Sequence, residues 1–271
     1  MFKKALFIIL ACAACMSTYA QKEYVVVKPF KAVAEANQEA CDRVQAAVVN
    51  AIVSSQRFNV VDENTASTVP GEVTKYVLEA NVGKLSYAKT VVEGKDRYKG
   101  VISYSVSVID IDNNTSVATL NVNQTTAITE ETPEEAKAFV ISLIDDEVKK
   151  FIIKEFPLIG EIFGEDIKVK KDKLKECYIS LGSEDGVKKG DRFTVHEVKM
   201  RVGKEVEDKS IGRLKIIEVY DDMSLCEVTW GEKKVKEAMD RYLENSADDP
   251  DTKRLRAKMS LNIWDKTLES L

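Results

Sequence analysis

Apolar and polar positions follow two different periods along this chain of 271 residues. Tyr24 to Phe30 form a short apolar run, which predicts a buried strand stopped at Pro29. From Val33 to Ser55 the apolar side chains recur at the spacing of an amphipathic helix, and Arg57 to Asp62 predict the next strand. A strand, a crossover helix and a second strand of this length predict a parallel βαβ unit.

Three later segments alternate between apolar and polar residues, which predicts antiparallel strands with one buried face. They are Tyr76 to Val82, Ile102 to Val108 and Ala118 to Val122. A long helix should follow, because Thr132 and Pro133 form a helix start and Pro157 ends an apolar stripe of helical period. That stripe contains Ala136, Phe139, Val140, Leu143, Ile144, Val148, Phe151 and Ile152. The pattern predicts an α+β fold over residues 21–156, in which a mixed sheet is covered by two helices.

The second half of the chain has a different pattern. Residues 166–231 contain only short alternating strands and turns, and several short strands in so few residues predict a small β-barrel. Residues 157–165 are apolar, so we expect an interdomain joint packed between the domains; the alternative is an exposed patch for a partner or a membrane surface. Residues 232–271 are predicted to form a helical tail, although Met259, Leu261 and Ile263 also alternate as in a strand.

The first 20 residues are organised like an export signal. Lys3 and Lys4 form a charged start, an apolar run follows to Ala11, and Thr18 to Ala20 fit a cleavage site before Gln21. The run is shorter than the about 20 residues that a membrane span requires. We therefore expect cleavage between Ala20 and Gln21, and a mature periplasmic protein without a transmembrane segment.

Cys12 and Cys15 leave an alternative open, since a lipoprotein cysteine could lie at either position. Acylation there would replace cleavage after Ala20 and would make the protein an outer-membrane lipoprotein. The apolar run before Cys12 is very short for such a signal, so cleavage is the favoured interpretation.

Charge and cysteine content narrow the possible partners. The formal charge is −5 and becomes more negative without Lys3 and Lys4, so no net basic surface is available and we expect no nucleic-acid partner. Of five cysteines, an odd number remains after cleavage, which argues against a disulfide scaffold. Cys177 and Cys226 both alternate with core positions, so a bridge between them is geometrically possible. Two buried thiols are the favoured interpretation.

No set of residues in the sequence predicts catalysis or metal binding. His196 is the only histidine, and it is out of phase with the core positions beside it, so we expect it on the surface. Asp110 begins a segment like a calcium loop, but Thr115 lies where glycine is needed and Asn121 where a bidentate glutamate is needed. A hairpin turn is predicted there instead. We expect no enzymatic activity, no cofactor and no metal site.

Residues 25–30, 57–62 and 108–112, together with the first long helix, resemble the CsgG family, which is named after the curli-secretion channel. The resemblance implies an α/β domain that several bacterial envelope-assembly factors share. The channel-forming members carry long inserted β-hairpins, whereas the segment from Tyr87 to Gly100 is short and charged here. It lacks the about 9–11 residues of alternating apolar character that a membrane strand needs, which disfavours a pore.

Ile179 to Ser183, Gly186 to Val195 and Ile211 to Ile216 resemble the C-terminal domain of FlgT, a periplasmic flagellar-assembly protein. This resemblance implies an SH3-like barrel, and in FlgT a CsgG-related domain precedes that barrel. The two resemblances and the export signal predict a non-catalytic interaction protein that helps to assemble or regulate an envelope structure. Its partners would be envelope or periplasmic proteins, and it could be a homo-oligomer. The alternative is a subunit of an outer-membrane secretion pore.

Overall fold

The computed structural model describes residues 23–63, 74–202, 204–244 and 254–261. The first elements are β1 (Tyr24–Val27), β2 (Lys31–Ala32), α1 (Gln38–Ser55) and β3 (Asn59–Asp62). Strands β1 and β3 pair in parallel, which confirms the predicted βαβ unit. Helix α1 begins later than Val33 because Asn37 caps it: the Asn37 side chain accepts a hydrogen bond from the Ala40 N–H.

Three longer strands complete the first sheet: β4 (Thr74–Val92), β5 (Lys95–Asp110) and β6 (Thr115–Thr125). The strand order is β3-β1-β4-β5-β6, and β2 also pairs with β4. Strand β4 runs parallel to β1 and antiparallel to β5, so the sheet is mixed. Glu93 and Gly94 connect β4 to β5 with φ angles of 52° and 75°, as in a two-residue hairpin turn. The segment from Tyr87 to Gly100 is therefore the far half of a hairpin.

The single long helix that was predicted after β6 is two helices, α2 (Pro133–Ser142) and α3 (Ile144–Glu155). Thr132 starts α2 with a capping box, in which its hydroxyl accepts from the Glu135 N–H and the Glu135 carboxylate accepts from the Thr132 N–H. The buried positions keep the same spacing across the break at Leu143, since Ala136, Val140, Ile144, Val148 and Ile152 are all buried. Ile144 is buried, whereas Phe139, which the uninterrupted stripe placed in the core, is only half-buried.

The helices cover one face of the first sheet. Every second residue of β5 from Gly100 to Asp110 is buried beneath them, and the residues between are half-buried. Helices α1 and α3 pack against each other, and α2 packs against β5. The approach of α2 is very close, because a Cβ atom on Gly100 would lie 2.1 Å from the Ala136 carbonyl oxygen.

The second unit is a closed ring of six strands. Its order is β9-β11-β12-β8-β7-β13, and β13 pairs back with β9, so the ring has no open edge. A short strand, β10, pairs with β9 outside the ring. The elements, in chain order, are β7 (Ile159–Lys170), β8 (Lys173–Ile179), β9 (Arg192–Arg201), β10 (Lys204–Glu207), β11 (Gly212–Val219), β12 (Ser224–Trp230), α4 (Glu232–Glu244) and β13 (Arg254–Ser260).

The predicted fold class, α+β with a mixed sheet covered by two helices and then a small SH3-like barrel, is wrong. The described chain is mostly β: strands hold about half of its residues and helices only about a quarter, and the barrel has six strands. The prediction was wrong because the local pattern of apolar residues indicated fewer and shorter strands than the chain contains. It missed the length of the β4–β5 hairpin, and it missed that two segments flanking the predicted barrel are strands of the ring.

Those two segments differ from their predictions. Residues 157–165, expected as a joint, contain the start of β7, and Ile162 is buried in the barrel core. Residues 254–260, expected within a helical tail, form β13, where Leu255, Ala257 and Met259 are buried. The ring closes only if a strand lies between β7 and β9, and the alternating apolar positions of β13 supply it.

The two units meet at the end of α1. Gly186, with a φ of 83°, comes so close that a Cβ atom there would lie 2.9 Å from the Gln56 Cβ. Arg57 follows directly, and burial lowers its pKa to about 10, although the charges of Asp191 and Asp185 oppose this decrease. The contact therefore places a guanidinium between the units, facing two carboxylates of the barrel.

The apolar residues between α3 and β7 divide between the two cores. Phe156 packs edge-to-face against Phe58 and Tyr76 of the first unit, with ring centroids 5.3 and 5.5 Å apart. Leu158 packs against the barrel core, whereas Ile159 is exposed. The short connection is thus anchored on both sides.

Candidate interaction surface

The residues of the export signal lie outside the described part of the chain. This applies to Ala20 and Gln21 at the expected cleavage site, and to Cys12 and Cys15 as the alternative lipidation sites. Both interpretations stay predictions. Within the described residues, no helix has the length and apolar character needed to cross a membrane.

Cys177 and Cys226 lie directly opposite each other on β8 and β12, and both are free, fully buried thiols. The contact with the Cys177 thiol and the burial of the pair raise the pKa of Cys226. Burial also raises the pKa of Cys41, which is free as well. A raised pKa keeps a thiol in its unreactive protonated form. The structure therefore brings the two barrel cysteines together as buried thiols.

His196 lies on the outer side of β9, and both of its ring nitrogens have hydrogen-bond partners. Nδ1 is 3.0 Å from the Asp208 carbonyl oxygen, and Nε2 is 2.9 Å from the Thr194 hydroxyl. The thiols of Cys177 and Cys226 point into the barrel core, so the barrel wall separates them from the imidazole. The structure does not bring the histidine and these cysteines together.

Asp110 begins a hairpin turn, as predicted. Its carboxylate accepts hydrogen bonds from the backbone and side-chain N–H groups of Asn113 at 3.0 and 3.1 Å. Asn114 has a φ of 49°, which fits the turn between β5 and β6. In the parts of the chain that the structure describes, no three His, Cys, Asp or Glu side chains are grouped to hold a metal ion.

The face of the first sheet opposite the helices has a central patch of uncharged polar side chains, and Lys31, Glu79 and Lys84 lie beside this patch on the same face. Ser105 on β5 lies between Asn81 on β4 and Asn121 on β6, and Ser103 lies opposite Asn123 in the next row. We call this surface the open face: Asn81, Ser103, Ser105, Asn121 and Asn123. Val33 and Gly83 border it, and together these residues line a shallow groove of about 280 Å³.

Amide and hydroxyl groups both donate and accept hydrogen bonds. The open face can therefore bind a polar, uncharged surface of another molecule. Its side chains include no acid, base or thiol, which are the groups that proton transfer and nucleophilic attack require. The arrangement is suited to recognition.

Two ion pairs border the open face along β4. The Lys28 Nζ lies 2.7 Å from the Glu79 carboxylate, and the Lys84 Nζ lies 2.7 Å from the Glu35 carboxylate. The hydrogen bond between Lys28 and Glu79 lowers the pKa of Glu79 and raises that of Lys28. Because each of these charges has an opposite partner, they add no net charge beside the groove.

Strand β6 forms an edge of the sheet, since among the described strands it pairs with β5 alone. Its 11 residues, TSVATLNVNQT, include no charged residue and no proline. Pairing with β5 is regular over residues 118–125, and Val117 is bulged out of the ladder before them. Natural edge strands are usually protected by charges, prolines or bulges. Only the beginning of β6 has such protection.

The hydrogen bonds at the end of β6 show which backbone groups point away from β5. The Thr126 N–H donates to the Gly100 carbonyl oxygen at 2.9 Å, so residue 126 points its backbone groups toward β5. In an antiparallel pair this direction alternates from residue to residue. The residues of β6 that point their N–H and C=O groups away from the sheet are therefore Thr119, Asn121, Asn123 and Thr125.

Sequence reasoning predicted β6 as a strand and missed that it is an edge. A signal was present, because Thr119, Asn121 and Asn123 alternate with the apolar side chains of β6 as uncharged residues. A strand face that is polar but uncharged is unusual for a surface bathed only by solvent. The order of strands in the sheet determines that β6 is an edge, and this order cannot be read from a local stretch of sequence.

No protein-family model matches the chain, and no curated protein matches it. Among solved structures it is similar to the PelC dodecamer from Paraburkholderia phytofirmans, with 20% sequence identity, 48% of this chain and 89% of that chain covered, and a TM-score of 0.36. It is also similar to a neuraminyllactose-binding hemagglutinin homolog from Helicobacter pylori, with 13% identity, 50% and 86% coverage, and a TM-score of 0.36.

A further similar structure is lipoprotein GNA1162 from Neisseria meningitidis, with 10% identity, 46% and 97% coverage, and a TM-score of 0.29. Likenesses at these TM-scores carry no argument about function. The resemblances to CsgG and to FlgT stay predictions. The functional argument therefore rests on the geometry of this chain.

Proposed function

We propose that this chain is a non-catalytic exported protein that binds other proteins of the bacterial envelope and helps to assemble or regulate an envelope structure. The observation that carries the proposal is the first sheet, which has a groove of uncharged polar side chains on one face and one long edge strand without a partner among the described residues. Unpaired edges and polar faces of this kind bind other protein segments through backbone and amide hydrogen bonds.

The reactive side chains of the described chain support a non-catalytic role. Both nitrogens of His196 are held by groups of the barrel itself. The thiols of Cys41 and Cys226 are buried, and burial contributes to the increase of their pKa values. A nucleophilic site needs the opposite arrangement, an accessible thiolate beside a base.

The place of action follows from the first 20 residues. Their pattern supports export and cleavage before Gln21, with a periplasmic mature chain, and acylation at Cys12 or Cys15 is the alternative. The intact mass of the exported protein distinguishes the two. A chain beginning at Gln21 supports the periplasmic form, and a mass increased by acyl chains supports the lipoprotein.

Site-specific photo-cross-linking in living cells tests the proposed function. A photoreactive residue at Ser105 lies in the open face, and a matched one at Asn50 lies on the exposed side of α1. We expect adducts with an exported envelope protein from Ser105 and not from Asn50. The proposal fails if Ser105 forms no adduct, or if both positions capture the same proteins equally.

A further inference from the structure

Strand β6 offers a matched set of backbone groups that have no strand partner among the described residues. The outward-pointing residues Thr119, Asn121, Asn123 and Thr125 all lie within the stretch that pairs regularly with β5. Val122 lies at the centre of this set. The set is therefore symmetric about Val122, and an antiparallel copy of the same strand, turned about that residue, places every outward group opposite another outward group.

We infer that β6 pairs antiparallel with β6 of a second copy of this chain, about a two-fold axis at Val122. This joins the two first sheets into one continuous sheet. In this register Asn121 lies opposite the partner copy's residue 123, and Thr119 lies opposite residue 125. Each such pair exchanges two backbone hydrogen bonds, as in any antiparallel ladder. The inference rests on the proposed function and names one partner of the same sheet.

Charge and length favour a second copy as the occupant. A two-fold interface places each surface against itself, so any charged residue on the strand would face a like charge nearby. Strand β6 has none over its 11 residues, and the side chains brought together are amides and hydroxyls that can bond to one another. The other edge of the sheet, β3, has only 4 residues, so head-to-tail pairing of β6 with β3 leaves most of β6 unpaired.

The open face gains continuity from this pairing. The uncharged row formed by Asn81, Ser105 and Asn121 across β4, β5 and β6 continues into the second copy, because Asn121 lies opposite the partner copy's residue 123. The bulge at Val117 marks the limit of the pairing at one end, since the register with β5 shifts there. The bonded segment thus spans residues 119–125 in each copy.

Charge substitutions at the exposed positions of β6 test the pairing. Asn121→Lys with Asn123→Lys places lysines opposite lysines across the axis, and Asn121→Glu with Asn123→Glu does the same with carboxylates. Like charges directly opposite destabilise a strand pair, so the dissociation constant of each variant should rise about tenfold or more. An equimolar mixture of the two variants places Lys opposite Glu and should restore the dimer. The control, Ala46→Lys with Asn50→Lys on the exposed side of α1, should dimerise like the wild type.

Cysteine cross-linking tests the register independently. A mixture of Asn121→Cys and Asn123→Cys should form disulfide-linked dimers on mild oxidation, and each variant alone should form few, since a residue does not face itself in this register. The natural Cys41, Cys177 and Cys226 are buried and should stay unlinked. Circular dichroism checks that all variants are folded, and sedimentation velocity on the purified full chain gives the oligomeric state.

The outcomes separate this inference from the proposed function. A wild-type dimer that the charge pairs abolish and the mixture restores supports it. A wild-type monomer, or a dimer that forms no link between positions 121 and 123, overturns it. If the chain is monomeric while Ser105 still captures an envelope protein, the second-copy inference is wrong and the proposed function stands. If Ser105 also captures nothing, both are wrong.

Discussion

The two units of this chain treat the edges of their strands in opposite ways. In the barrel, β13 pairs with both β7 and β9, so the ring closes. Strand β10, which pairs with β9 outside the ring, carries charged side chains: Glu205 and Glu207 form ion pairs with Arg256 and Lys258 of β13. In the first sheet, β6 is almost three times as long and has no charged residue. An uncharged edge strand is therefore found in the first sheet, whereas charged residues and ring closure protect the strands of the barrel.

The faces of the two units differ in the same sense. The barrel encloses its core completely, with helix α4 adding Val235, Ala238 and Met239 to it. The first sheet is covered on one face by helices, and its other face holds the polar groove. A unit that is closed on all sides serves stability, and a unit that leaves an edge and a face accessible can also recognise partners.

The largest loss of folding stability is expected for a substitution in the core of the barrel. Phe193 is fully buried on β9 and lies opposite Leu214 of β11 and Met259 of β13. Phe193→Ala should lower the free energy of unfolding by about 3–5 kcal/mol, because it leaves a cavity between strands of the ring. Urea denaturation followed by circular dichroism measures it. The control is Phe163→Ala on the outer side of β7, which is 42% exposed and should cost less than about 1 kcal/mol. Equal costs would show that Phe193 does not fill a closed core.

The next effect concerns the covered face of the first sheet. Ile144 begins α3 and is 2% exposed, whereas Phe139 on α2 is half-buried. Ile144→Ala should cost about 2–5 kcal/mol, and Phe139→Ala should cost about 1 kcal/mol despite removing a larger side chain. The same urea measurement decides. The reverse ranking would mean that Phe139, and not Ile144, is the side chain buried against the sheet.

The break between α2 and α3 shows what the sequence can and cannot predict. The start at Thr132 was readable because a threonine followed by proline is a local signal for the first turn of a helix. The βαβ unit was also readable, because its strands and helix follow one another directly in the sequence. The break at Leu143 was not, because the apolar stripe runs across it without interruption and the Leu143 backbone itself stays in the right-handed helical region, with φ −75° and ψ −16°.

The sequence also did not predict which strands pair when they are far apart along the chain. Strand β13 contacts β9 across about 60 residues of chain, and the alternation at Met259 left a helix and a strand both open. The same limit hid the candidate surface: β6 was predicted as a strand, but only the strand order makes it an edge. Its lack of charge becomes informative once its position in the sheet is known.

A smaller effect compares the covered and open faces through two glycines. On the covered side, a Cβ atom on Gly100 would meet the Ala136 carbonyl oxygen at 2.1 Å, so Gly100→Ala must displace α2 and should cost about 1–3 kcal/mol. On the open side, a Cβ atom on Gly83 would lie 3.1 Å from the Ser103 hydroxyl, the end of a side chain that can rotate. Gly83→Ala should therefore cost less than Gly100→Ala in urea denaturation. A greater cost for Gly83→Ala would show that the open face is as tightly packed as the covered one.

The smallest effect concerns the charged strand of the barrel. The Arg256 guanidinium contacts both carboxylate oxygens of Glu205, and this hydrogen bonding lowers the pKa of Glu205 below its ordinary value of 4.5. A group whose pKa is lower in the folded chain stabilises the fold above its unfolded pKa, and this stabilisation is lost as the pH falls through the folded value.

Glu205→Gln should therefore lower the urea midpoint slightly at pH 7, by less than the substitutions in buried positions. The difference from the wild type should shrink with added salt, which screens exposed charges, and should disappear as the pH falls through the folded pKa of Glu205, where both chains become uncharged at this position. Glu93→Gln, in the exposed turn between β4 and β5, controls for the removal of one negative charge. A midpoint difference that persists unchanged at acid pH would assign the role of Glu205 to packing. Packing, and not charge, would then protect strand β10. The two strands would differ only in that β10 is short and belongs to a closed barrel, whereas β6 is long and lies at a sheet edge.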